Sequence, residues 1–117
     1  MTGLTTHVLD TANGIPAKGV KIELYRHSGG VRSKIREVVT NDDGRTDAPM
    51  LSQDQFVPNE YELLFHMGDY FRETGANISD PPFLDLVPVR FRVADHTKHF
   101  HVPLLASPWG YSTYRGS

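Results

Sequence analysis

Apolar and polar positions alternate with a period of two along most of this chain. Val20, Ile22 and Leu24 interleave with Lys21, Glu23 and Tyr25, and Tyr61, Leu63 and Phe65 share one face of a later run. Val87, Val89, Phe91 and Val93 interleave with Pro88, Arg90 and Arg92; Phe100, Val102 and Leu104 interleave with His99, His101 and Pro103. Successive residues of a strand point to opposite faces, so each run predicts a strand with one face in a core. Near the start, Leu4 and Val8 suit the inner face, with a turn or bulge between them, while Thr5, His7 and Leu9 take the other side. Residues 31–40 are β-prone but polar, which predicts an edge position.

Asn13-Gly14, Ser28-Gly29-Gly30 and Asp42-Asp43-Gly44 supply turns, because glycine tolerates positive φ. Met67, Tyr70, Phe71 and Thr74 recur at spacings of three and four and predict one short helix, with Asp69 capping its start and Gly75 its end. Asp80-Pro81-Pro82 then forces an extended entry into the next strand. The pattern predicts an all-β protein: an antiparallel β-sandwich of about eight strands with one short helix.

Composition narrows this further. The 117 residues suit one domain spanning residues 1–117. Hydrophobic residues make up 38% and charged residues 22%, a globular balance. A formal net charge of -2 gives no reason to expect nucleic acid or an anionic membrane as partner. With no cysteine, thiolate catalysis, disulfides and Cys-based zinc sites are excluded. The first residues carry no signal-peptide pattern, and no apolar run approaches the roughly 20 residues of a membrane span, so a cytoplasmic location is expected.

Candidate chemistry sits on the polar faces. His99 and His101 are two residues apart and project together from the face opposite Phe100 and Val102. An ordinary solvated face carrying two incidental histidines explains such a pair equally well. His7 adds a third imidazole, which opens a His₃ zinc site as an alternative, although no carboxylate is placed to support the ligands. Arg45 follows the Asp42-Asp43-Gly44 turn, where arginines are usually solvated; its planar donor fork also suits a carbonyl-rich heterocycle. The last seven residues, Tyr111-Ser112-Thr113-Tyr114-Arg115-Gly116-Ser117, are β-prone to the end, which predicts a docked terminus: either a plain final strand or part of a site.

Several stretches together resemble the 5-hydroxyisourate hydrolase family, the enzymatic relatives of transthyretin. They are Leu4-Thr5-Thr6-His7-Val8-Leu9-Asp10, Gly14-Ile15-Pro16-Ala17, Gly44-Arg45-Thr46-Asp47 within residues 41–51, and Phe83-Leu84-Asp85 with Val87-Pro88-Val89-Arg90-Phe91. His99-Phe100-His101-Val102-Pro103-Leu104-Leu105 and Ser107-Pro108-Trp109-Gly110 leading into the terminal residues complete the set. The resemblance spans the whole chain, and its most specific element is the final Tyr-Arg-Gly-Ser. It implies a transthyretin-like sandwich assembled as a homotetramer, a dimer of dimers with sites in a channel between subunits. The implied reaction is hydrolysis of 5-hydroxyisourate to 2-oxo-4-hydroxy-4-carboxy-5-ureidoimidazoline in urate degradation. No cofactor or metal is implied. The resemblance maps catalytic roles onto His7, Arg45, His101 and Ser117, and substrate contacts onto His7, Arg45, His99, Tyr114 and Arg115.

Hydrolysis of a ring amide needs a positioned water, a base near neutral pKa and donors for the developing oxyanion. His101 suits the base, His7 a water holder or relay, Arg45 the oxyanion donor, and Tyr114 and the terminal backbone the orientation of the flat ring. Ser117 has no visible base beside it. Three rivals stand beside this reading: a carrier for small aromatic ligands, a zinc amidohydrolase on His7, His99 and His101, and an adhesion-type structural sandwich.

Overall fold

The computed structural model describes residues 3–116. The strands, in chain order, are β1 (Leu4–Thr5), β2 (Val8–Asp10), β3 (Ile15–Pro16), β4 (Lys21–Ser28), β5 (Val31–Val39), β6 (Glu60–His66), β7 (Leu86–Arg92), β8 (Phe100–His101), β9 (Leu104–Ser107) and β10 (Gly110–Thr113). The helix α1 (Met67–Glu73) follows β6 directly. β1 and β2 are pieces of one extended stretch, as are β8 and β9, which reconciles ten short segments with the eight strands expected.

One sheet runs β5-β4-β6-β7 and is antiparallel throughout. The polar β5 lies at its edge, as its composition requires. The second sheet runs β10-β9-β2-β3, and β1 pairs β8 beside it. Here the expectation of antiparallel pairing needs refining, because β2 pairs β9 and β1 pairs β8 in parallel. These partners lie almost a chain length apart, so a long crossover replaces a hairpin.

Between the layers, Ile22, Leu24, Tyr61, Leu63 and Phe65 meet Leu4, Val8, Leu104 and Ala106, all fully buried. The period-two reading therefore identified the core face correctly on β4, β6 and β7. At the N-terminus no bulge is needed. Leu4, Thr6, Val8 and Asp10 all face inward, while Thr5, His7 and Leu9 are half-buried on the other side. Thr6 occupies a core position because its hydroxyl donates to the Val102 carbonyl at 2.7 Å. Asp10 does so because it accepts bonds from Tyr70 Oη at 2.8 Å, Asn13 N at 3.1 Å and Asn13 Nδ2 at 2.8 Å. The Tyr70 bond ties α1 to β2.

Two local expectations are corrected. The helix begins at Met67, two residues before Asp69, and its first amides, Met67 N–H and Gly68 N–H, donate to the Asp85 carbonyl at 3.0 Å each. A tertiary carbonyl thus does the work assigned to Asp69. Residues 99–104 do not form one strand. The ladder breaks at Val102-Pro103, since proline lacks the N–H a continuous ladder needs. Across the break burial does not alternate: His99, Phe100 and His101 are half-buried, and Val102, Pro103 and Leu104 are buried. No helix of the described residues is long and apolar enough to cross a membrane.

Candidate active site

Parallel pairing of β1 with β8 places Thr5 opposite His101. Both side chains leave the face opposite the core, as does His99. Thr5 Oγ1 lies 2.8 Å from His101 Nδ1 and 3.0 Å from His99 Nε2. The two rings stack nearly parallel, with centroids 6.4 Å apart and planes at 13°.

Arg45 arrives from a different segment. The Asn41 side chain accepts from Asp43 N–H at 2.9 Å and Arg45 N–H at 3.1 Å, and it donates to Asp47 at 3.0 Å, so one amide braces the whole turn. Gly44 then passes directly against β2. Its φ is +74°, and a Cβ there would collide with the Val8 carbonyl, so only glycine lets the turn approach. Val8 N–H donates to the Gly44 carbonyl at 2.8 Å, and His7 and Arg45 pair in an isolated antiparallel bridge. Arg45 is thereby set on the rim of an open cleft of about 490 Å³, also lined by Thr5, His99, His101 and Asp47.

His7 takes a distinct position. Its Nε2 lies 2.8 Å from the Asp43 carbonyl. A carbonyl only accepts, so Nε2 carries the proton and Nδ1 is the nitrogen left for other work. Among the described residues no group of three or more His, Asp or Glu side chains is arranged to hold a metal ion.

The terminus is docked, as its β-prone sequence predicts. β10 pairs with β9, and beyond it Gly116 forms a bridge to His101, its N–H donating to the His101 carbonyl at 2.6 Å. A Cβ on Gly116 would stand 3.0 Å from His101 Cδ2, so the backbone lies tightly against the ring. Tyr114 and Arg115 do not join the imidazole cleft. The Arg115 guanidinium sits 4.2 Å from the Phe100 ring centroid and donates to the His99 carbonyl at 3.3 Å, on the opposite side of β8. Both residues line a second groove of about 260 Å³ with Phe91, Phe100 and Val102. Ser117 lies outside the described residues.

Thus His99, His101 and Arg45 come together, His7 stands at the Arg45 turn, and Tyr114 and Arg115 stand apart. Thr5 and Asn41 were missed as site residues. Thr5 shares the face of His7 by simple alternation, which was the available signal; Asn41 had none.

Burial, then the positive charge of Arg45, then His99 and His7 hold the His101 pKa below the ordinary imidazole value. Burial and Arg115 lower His99 in the same way. Both rings are therefore neutral at pH 7, and a neutral ring is the form that accepts a proton. A base of this kind loses function as pH falls through its lowered pKa. The acid limb of a kcat/KM profile is expected below the ordinary histidine value of about 6.5. An acid limb above that value would remove His99 and His101 from the base role.

The arrangement defines a class: a two-layer β-sandwich carrying a neutral imidazole pair and a guanidinium in one open cleft. A family model described as the HIUase/Transthyretin family matches residues 4–116. The chain belongs to that family. It is 60% identical over 114 residues to 5-hydroxyisourate hydrolase 2 of Rhizobium meliloti, covering 97% of this chain and 95% of the relative. Among solved structures it is similar to an (S)-allantoin synthase, with TM-score 0.93 and 46% identity. That match covers 99% of this chain, which spans 44% of the longer synthase chain. Sea bream transthyretin in complex with thyroxine shares the fold at TM-score 0.86 and 25% identity, covering 97% of this chain and 93% of that one.

Proposed function

We infer that this chain is an enzyme that hydrolyses 5-hydroxyisourate to 2-oxo-4-hydroxy-4-carboxy-5-ureidoimidazoline. The observation that carries the reading is the cleft of His99, His101 and Arg45 in a chain 60% identical to a 5-hydroxyisourate hydrolase. A carrier for an aromatic hormone is better served by an apolar channel than by imidazoles and a guanidinium.

In the proposed reaction His101 Nε2 takes a proton from water while the water oxygen bonds to the ring amide carbonyl carbon. The carbonyl π pair moves to oxygen, where the Arg45 guanidinium meets the negative charge. Collapse breaks the C–N bond, and His101 returns its proton to the leaving nitrogen. His7, with Nε2–H committed to the Asp43 carbonyl, holds the water or relays protons through Nδ1. Ser117 keeps the role the resemblance implies. No metal or cofactor takes part, and the enzyme works in the cytoplasm.

The same reading makes the enzyme a homotetramer in which facing subunits enclose the open cleft, bringing Tyr114 and Arg115 to substrate from a neighbouring copy. Ile15 on β3, Tyr111 on β10, and Trp109 and Tyr114 on either side of β10 are each about half exposed or more, and burying them favours assembly. Sedimentation is expected to give about four times 13.1 kDa. A fully active monomer would contradict both the assembly and the enclosed site.

The direct test generates 5-hydroxyisourate in place with urate oxidase and follows its ultraviolet absorbance. The protein is expected to accelerate the decay, and to do so equally after prolonged chelation. No acceleration would overturn the enzymatic reading in favour of the carrier. Activity lost to chelation and restored by zinc alone would favour the metal-dependent one.

A further inference from the structure

The hydroxyl of Thr5 stands between two imidazole nitrogens, at 2.8 Å from His101 Nδ1 and 3.0 Å from His99 Nε2. A hydroxyl has one proton and two lone pairs, so it can donate to only one of these nitrogens. If it donates to His101, the neutral ring carries its proton on Nε2 and offers the cleft a donor. If it accepts from His101, the proton is on Nδ1 and Nε2 offers a lone pair. Only the second tautomer can take a proton from water.

The surroundings favour the second arrangement. Arg45 lines the same cleft, and its guanidinium has donors only, so its charge favours a lone pair over an N–H on the neighbouring nitrogen. His99 Nε2 is a ready acceptor for the Thr5 proton. With Nε2 accepting, neutral His99 carries its proton on Nδ1, which is buried without a hydrogen-bond partner, so this direction leaves one N–H unpaired, a cost that the Arg45 charge beside His101 must outweigh. The charged and titratable groups facing His101 are Arg45, His7 and His99. Among these, no carboxylate is set against His101 Nδ1.

We propose that Thr5 is a positioning residue: its hydroxyl accepts His101 Nδ1–H and donates to His99 Nε2, which holds His101 in the tautomer whose Nε2 can act as base. This deepens the proposed hydrolysis and rests on it for the catalytic step. A hydroxyl fills the place that a carboxylate takes in other histidine-based sites. It fixes the tautomer without adding negative charge, and so leaves the imidazole pKa low.

The test uses ¹⁵N-labelled full-length protein and two-bond ¹H–¹⁵N correlation of the His101 ring. The parent protein is expected to show the proton on Nδ1. Thr5→Val, which keeps the shape and removes the hydroxyl, should move it towards Nε2 and lower kcat by roughly 10- to 10²-fold with KM unchanged. Thr5→Ser should restore both readings. A parent His101 protonated on Nε2 overturns the proposal, as does Thr5→Val with unchanged kcat or an unchanged tautomer. If the parent protein does not hydrolyse 5-hydroxyisourate at all, the functional reading fails, while the tautomer spectra still decide the part played by Thr5.

Discussion

His101→Asn is expected to lower turnover of 5-hydroxyisourate by about 10²-fold or more, the scale of losing a general base. Asparagine keeps a polar side chain of similar reach, but its amide nitrogen has no lone pair to take a proton from water. The fold should survive, because His101 is half-buried on the face opposite the core and its backbone bonds to Gly116 do not involve the ring. The change should therefore appear in kcat, with native circular dichroism and an unaltered sedimentation profile. Near-normal turnover would remove His101 from the mechanism and pass the base role to His7 Nδ1.

Whether a residue's place could be read from the sequence depended on which contact fixed it. Strand faces obey a local rule, so Ile22, Leu24, Tyr61, Leu63, Phe65, Val87 and Leu104 could be assigned to the core from alternation alone. The same rule put His99 and His101 on one outer face. Burial of Thr6 and Asp10 followed no such rule. Their polar atoms are tolerated inside only because Val102, Tyr70 and Asn13 satisfy them, and the first two lie far away in sequence. The Asp69 cap failed for a related reason, since the helix starts two residues earlier and its first amides found the Asp85 carbonyl of another segment.

The site divides along the same line. Gly44 could be read as a turn residue, but not that its turn presses on Val8 and thereby carries Arg45 to His7. Thr5 looked like an unremarkable strand residue until parallel pairing with β8 set it beside His101. That pairing spans nearly the whole chain, and no local pattern encodes it. Tyr114 and Arg115 show the converse. Their residue types suit substrate contact, yet the chain turns Arg115 onto Phe100 and sets Tyr114 in the same groove, while the Gly116 backbone lies against His101.

Deleting residues 114–117 is expected to bring hydrolysis down to the spontaneous rate while the fold survives. The terminus contributes little to the core: Tyr114 is 60% exposed, and among the described residues none of the fully buried side chains belongs to this segment. What it contributes is a brace on β8, a strand of two residues held otherwise by β1, which is equally short. Deletion removes both backbone bonds between Gly116 and His101 and the Arg115 bond to the His99 carbonyl. Both histidines then lose support on the side away from Thr5. Misplacement of a catalytic group by about 1 Å can cost on the order of 10²-fold in rate, and loss of the terminal residues adds whatever they give to substrate. Single substitutions separate these contributions. Gly116→Ala pushes a methyl group against the His101 ring and should lower kcat, with the sandwich intact. Arg115→Ala and Tyr114→Ala should cost less than the deletion if the brace dominates. If instead either alone matches the deletion, that side chain contacts substrate directly. Full turnover in the truncated protein would show that the terminal segment is architecture alone and that the seating of His101 depends on β1 and Thr5.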